Sequence, residues 1–226
     1  ELFSAHSPEE AVKRIGPRNA ITPSLDRYAK EVLLFDSVFS AGQVTRPSIV
    51  SLWTSRPYTE SRLPVFRNIV TKENQEEFHA LKFAALGDEL SRRGYFTKQI
   101  SCNAQGHGVS SVGVDLGFDE NYDYTMETSE HPENIRRILE FFQEQQNRKF
   151  FLYAHINTPH SPSWIPLGYY LRALWETNFI HSSARTLGNI RYLNDRLDTL
   201  LKAVEKLRLR ENTLFIVTAD HSFARS

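Results

Sequence analysis

Residues 149–156 read KFFLYAHI, a nearly continuous apolar run that opens on Lys149 and ends at Ile156. Alternation of apolar and polar residues would mark a strand with one wet face; an unbroken run marks one covered on both. Upstream, Pro132–Gln146 has the spacing of an amphipathic helix. Downstream, Ser182–Leu207 repeats apolar residues at helical intervals, with Leu193, Leu197, Leu200, Leu201 and Val204 on one side. A second apolar run follows, Asn212–Asp220 (NTLFIVTAD), ending in an acid. Helix, covered strand, helix, covered strand predicts an α/β fold: a central, mostly parallel sheet with helices on both faces. Lys149–Ile156 and Leu214–Ala219 are then expected as neighbouring buried strands.

The remaining chain fits the same alternation. Ser24–Val32 predicts a short helix after Thr22-Pro23, and Leu33–Ser40 (LLFDSVFS) a strand. Glu76–Arg93 reads as one amphipathic helix stopped by Gly94, and Tyr95–Ser101 as the strand after it. No internal repeat or low-complexity linker marks a domain boundary. Lys plus Arg equals Asp plus Glu at 27 each, so net charge gives no footprint for nucleic acid. A single cysteine, Cys102, excludes an intrachain disulfide and any multi-cysteine zinc site, leaving it a packing role. No apolar run is long enough to cross a bilayer as a helix.

In parallel sheets, ligands gather beyond the carboxyl ends of strands. Asp220-His221 stands at one such end, and a carboxylate beside an imidazole suits a divalent metal as well as a simple strand-end turn. Asn157, Thr158 and His160 follow another, where His160 could hydrogen-bond a phosphoryl or sulfuryl oxygen or protonate a leaving group. His155, inside the run, reads as a core residue. Val44–Thr54 (VTRPSIVSLWT) opens an apolar helix near Thr45 and Pro47. Thr45 is either its cap or a hydroxyl presented to a tetrahedral anion at the positive helix end.

Taken in order, these segments resemble the sulfatase-like branch of the alkaline phosphatase superfamily. TPSLDRYAKEVLLFDSVFSAGQVTRPSIVSLWTSRP is similar to that family's Thr-Pro-Asn-Leu-Asp-Arg segment followed by its Cys-x-Pro-Ser-Arg nucleophile motif. ALGDELSRRGYFT, LGFDENYD, KFFLYAHINTPHSP and ENTLFIVTADH resemble further family elements, collinear from Ile21 to His221. The resemblance implies an alkaline phosphatase-like α/β fold and one catalytic domain over residues 1–226, without the family's first metal-binding strand and its C-terminal part. It places Thr45 as nucleophile, His160 on the transferred group, and Thr45, Asp220 and His221 around one or two divalent ions (Mn, Zn, Mg or Ca). Arg46, Asn103 and His107 are expected to line the same cleft as substrate-binding groups.

Two departures bear on the chemistry. Sulfatases oxidise Cys or Ser to formylglycine, and threonine cannot give that aldehyde because its β-carbon carries a methyl group. Ile49 stands where the motif has arginine. Phosphoryl transfer by an unmodified threonine is therefore the preferred reading, with a small-molecule, lipid or glycan phosphate or sulfate ester as substrate. A sulfatase using unmodified Thr45 and a catalytically silent scaffold of the same fold are the alternatives. The resemblance favours an extracytoplasmic or membrane-attached setting, the attachment lying in segments outside this sequence.

Overall fold

The computed structural model describes residues 21–35, 37–65, 70–103, 114, 116–125, 131–156, 158, 165–176 and 181–221. The chain divides into two compact units, one of residues Glu1–Val38 and Thr158–Leu209, the other of Phe39–Asn157 and Arg210–Ser226.

Three helices make up the described part of the first unit: α1 (Pro23–Tyr28), α6 (Leu167–Glu176) and α7 (His181–Lys206). The start of α1 has no side-chain cap of its own. Instead, buried Asn194 on α7 turns its Oδ1 to the Ser24 and Leu25 amides at 3.0 and 3.3 Å. A distant side chain thus satisfies donors that a helix of six residues leaves open. Asp198, one turn further on, takes Lys202 and Arg27 at 2.6 and 2.5 Å, and these hydrogen bonds, Lys202 first, hold its carboxyl below the ordinary range.

The second unit is built around a three-stranded sheet in the order β2-β1-β3, with β1 (Phe96–Asn103) parallel to both β2 (Glu120–Thr125) and β3 (Phe150–Ala154). Register pairs Thr97 with Phe151 and Gln99 with Tyr153, so these residues share one face. On that face lie α2 (Thr45–Thr54) and the loop bearing Phe118: Trp53 meets Tyr153 and Phe151 edge-on at 4.7 and 5.6 Å, and Phe118 stacks on Phe151 at 5.8 Å. On the opposite face α5 (His131–Gln145) sets Phe141 edge-on against Phe150 at 5.2 Å. The fold is α/β, a parallel sheet flanked by helices.

Two helices, α3 (Lys72–Ala80) and α4 (Leu86–Arg92), stand where the spacing predicted one over Glu76–Arg93. The break is at Lys82, whose φ of 51° is left-handed, and beyond it Phe83 turns back against Phe78 at 5.8 Å. The expected stop at Gly94 is present: its φ is 80°, and the Tyr95 amide reaches back to the Leu90 carbonyl at 3.1 Å.

The other two expected strands are corrected. Leu33–Ser40 and Leu214–Ala219 join no ladder among the described residues, and Leu33, Phe39, Leu214 and Ile216 are 80, 92, 85 and 77% exposed. Apolar content marks the wish to be buried, whereas a strand also needs a neighbour for its amides. Of the second run, Phe215 alone is shown in an aromatic contact, edge-on to Phe142 at 6.4 Å. β3 is consequently an edge of the described sheet, and its residues are half-buried rather than fully covered.

Gly87 allows α4 to sit on the loop before β2. A Cβ there would stand 2.7 Å from the Leu116 carbonyl oxygen and 2.9 Å from that of Gly117, both backbone. Alanine usually gains about 1 kcal/mol over glycine within a helix. Gly87→Ala should reverse that sign, destabilising by about 1–3 kcal/mol through overpacking, read as a lower denaturant midpoint at unchanged slope.

Asp119 joins the entry of β2 to β1. Its carboxylate accepts the Thr97 amide at 2.8 Å, the Thr97 hydroxyl at 3.1 Å and the Ser91 hydroxyl at 2.8 Å. These bonds, the Thr97 amide above all, lower its pKa from 3.8. A carboxyl with a lowered folded pKa stabilises fully above its free value and loses that contribution as pH falls through the folded value. Unfolding measured from pH 6 down to 2 should therefore show a shallower acid loss in Asp119→Asn, which is also the less stable protein at pH 6.

Candidate active site

Helix α2 begins after Val44, whose extended backbone (φ −142°, ψ 158°) holds the cap position and whose carbonyl accepts the Ser48 amide at 3.4 Å. No side chain closes this first turn. Thr45 is the first helical residue and does not act as the cap. Its Oγ1 lies 3.4 Å from Nε2 of His221. The approach to it is tied down by two hydroxyls, since Ser40 and Ser48 donate to the Gly42 carbonyl at 2.8 and 3.0 Å. Pro47 falls within the turn whose amides have no helical acceptor, so its missing N–H costs nothing.

Asp220 and His221 close the apolar run of the same unit. The His221 amide donates to Asp220 Oδ1 at 3.0 Å. Asp220 Oδ2 is buried without a hydrogen-bond partner, 3.5 Å from His221 Nε2 and 4.0 Å from His155 Nε2. Hydroxyl, carboxylate and imidazole therefore meet at one place, beyond the carboxyl end of β3. A helix N-terminus adds the partial positive charge of its free amides.

His155 is the residue that the sequence reading left in the core. Its amide extends the β1–β3 ladder by bonding the Ile100 carbonyl at 2.8 Å, and its ring tilts against Tyr153 at 6.2 Å. Strand alternation could have found it, because Phe151, Tyr153 and His155 fall on one face of β3.

The other expected site residues divide. Arg46 is buried, and its Nη1 donates to the Pro64 carbonyl at 2.7 Å. Asn103 is the last residue of β1, paired in register with Thr125. His107 and His160, like Asn157, lie outside the described residues.

Whether a divalent cation suits these donors can be judged from their spacing. Two ligands at about 2.1 Å from one ion stand roughly 3.0–3.4 Å apart. Thr45 Oγ1 to His221 Nε2 is 3.4 Å and His221 Nε2 to Asp220 Oδ2 is 3.5 Å. The unsatisfied Asp220 oxygen fits as well, since a buried carboxylate oxygen without a partner is costly. Among the described residues no group of three or more His, Cys, Asp or Glu side chains could hold a metal, so the donors form a partial set.

Comparison with known proteins places the chain in a family. N-acetylgalactosamine-6-sulfatase of Canis lupus familiaris is 26% identical over 250 residues, which is 90% of this chain and 46% of the dog protein. Human N-sulphoglucosamine sulphohydrolase is 30% identical over 146 residues, 62% of this chain and 27% of that one. The chain spans about half the length, or less, of these curated relatives. Among solved structures, the crystal structure of Ps i-CgsB aligns with a TM-score of 0.64 over 87% of this chain and 52% of its own, at 17% identity. The same protein solved with k-i-k-neocarrahexaose gives 0.64 at 18%. These structural likenesses carry the fold. The sequence model of the Sulfatase family matches residues 5–225, nearly the whole chain, and the chain belongs to that family.

Proposed function

We propose that this chain carries the nucleophile and part of the cation-binding set of a sulfatase-family hydrolase or transferase, acting on a phosphate or sulfate ester of a sugar or similar alcohol. The observation behind this reading is the approach of Thr45 Oγ1 to His221 Nε2 at 3.4 Å, beside the unpartnered Asp220 Oδ2. The sugar is suggested by the names of the relatives, sulfatases of amino sugars, and by a structural neighbour solved with k-i-k-neocarrahexaose.

Asp220 and His221, with the Thr45 oxygen, would hold the divalent ion, which when bound lowers the pKa of the hydroxyl and offsets charge on the transferred group. Thr45 Oγ1 would lose its proton to solvent and form a bond to phosphorus or sulfur while the bond to the ester oxygen breaks, and the departing alkoxide takes a separate proton. His160 is our candidate for that proton. Free amides of the first turn of α2 face the growing negative charge on the nonbridging oxygens. Water or an acceptor alcohol next displaces Thr45, restoring its hydroxyl.

Threonine favours the phosphate ester of the two. Hydrated-aldehyde chemistry needs formylglycine, which residue 45 cannot become, and Ile49 supplies no guanidinium to support one. Thr45 makes no capping bond, so Thr45→Ala should change stability by less than about 1 kcal/mol. It should nevertheless abolish turnover, while Thr45→Ser retains part of it. Paired assays on an aryl phosphodiester and an aryl sulfate should favour the phosphodiester, with a Thr45-linked phosphoryl group detectable by mass spectrometry after rapid quenching. Full turnover by folded Thr45→Ala would refute the covalent route, and a preference for the sulfate would assign the chain to sulfatases that use unmodified threonine.

A further inference from the structure

We infer that His155 is a positioning residue for the Asp220 carboxylate, an inference that rests on the cation-binding reading of Asp220 and His221. The two residues are held in very different ways. His155 is fixed by the sheet: its amide bonds the Ile100 carbonyl at 2.8 Å, alternation aims it to the side of Phe151 and Tyr153, and its side chain is 14% exposed. Asp220 ends a run that joins no ladder among the described residues, so none of the described strands fixes its backbone.

A ligand carried by such a segment needs a second support. Asp220 Oδ1 already accepts the His221 amide at 3.0 Å, which orients one edge of the carboxylate. The other oxygen, Oδ2, is buried without a hydrogen-bond partner, and His155 Nε2 faces it at 4.0 Å. That separation is longer than a hydrogen bond, and a shift of under about 1 Å would bring an imidazole N–H into bonding range of the carboxylate. A carboxylate oxygen has two lone pairs, so Oδ2 can take a cation on one and accept an N–H on the other, and a donor fixed by the sheet then sets the rotamer of the ligand. Outer partners of this sort are commonly worth 10–100-fold in metal affinity.

Calorimetric titration with Ca2+ and with Mn2+ tests the inference on the wild-type protein and three variants. His155→Phe keeps the ring and its packing but has no donor, and metal binding should weaken about 10–100-fold while the metal-free unfolding midpoint stays close to wild type. His155→Gln restores an N–H and should recover most of the affinity, which a purely packing role for His155 would not predict. Asp220→Asn should weaken binding at least as much as His155→Phe. If Asp220→Asn weakens binding while His155→Phe binds as wild type does, His155 has no positioning role and the cation-binding reading stands. If neither wild type nor Asp220→Asn shows a metal-dependent signal, both are overturned. Should His155→Phe fail to fold, His155→Ala against His155→Gln gives the same contrast.

Discussion

Trp53 sits eight residues beyond Thr45 on the same helix, about 12 Å along its axis, and packs edge-on against Tyr153 and Phe151 of β3. Phe118 closes the cluster at 6.0 Å from Trp53. Aromatic pairs of this kind contribute about 0.5–1.5 kcal/mol each beyond the area they bury. Their larger effect is geometric. With its far end anchored on β3, α2 carries Thr45 out past the carboxyl end of that strand. The same contacts choose which face of β3 meets the helix. A slip of one residue would turn Phe150, Leu152 and Ala154 toward Trp53 and send His155 to the side of α5.

The opposite face obeys the same rule. Phe141 stacks on Phe96 at 6.2 Å and meets Phe150 edge-on, so α5 grips β1 and β3 together. Between the two helical layers the central strand buries polar residues as well as Ile100. Thr97, Gln99 and Ser101 are all buried, and Gln99 Nε2 donates to Ser101 Oγ at 2.8 Å. The sheet tolerates this stripe because Thr97 is bonded to Asp119 and Gln99 to Ser101, which keeps the cost of desolvation low.

Legibility from the sequence followed the range of the interaction involved. β1, β3, α5 and α7 depend on local periodicity, and all four stand within a residue or two of their expected spans. The break between α3 and α4 depends on a left-handed lysine, and Lys82 bears none of the glycine or asparagine signature that would announce it. Leu33–Ser40 and Leu214–Ala219 have the apolar content of strands, but pairing belongs to the neighbour as much as to the strand, and composition cannot supply one. At the site, Thr45, Asp220 and His221 were named from motif order and from two expected strands that join no ladder among the described residues, and what brings Thr45 Oγ1 to within 3.4 Å of His221 Nε2 is the fold rather than a strand end. The approach of His155 to Asp220 was not legible at all, because 65 residues separate them and only the fold sets that distance. Asn103, His107 and His160 were legible as candidates alone.

The two departures from the sulfatase motif are physically coupled. Ile49 is 3% exposed in the core cluster with Val50, Trp53 and Phe118, so the helix face that would present the motif's arginine is used for packing. A guanidinium there would need a buried counter-charge or would cost several kcal/mol. Arg46, the one arginine of α2, is itself buried and gives its Nη1 to the Pro64 carbonyl. Positive charge at the start of this helix therefore comes from its free amides and, on the proposed reading, would come from a cation at Asp220 and His221, rather than from an arginine supporting an aldehyde. A residue that cannot be oxidised to formylglycine stands on a helix that has lost the arginine to support one, and both changes leave a plain hydroxyl facing an imidazole and a carboxylate. On the proposed reading a bound cation would activate that hydroxyl, so nucleophilic chemistry at Thr45 and cation binding at Asp220 and His221 would stand or fall together.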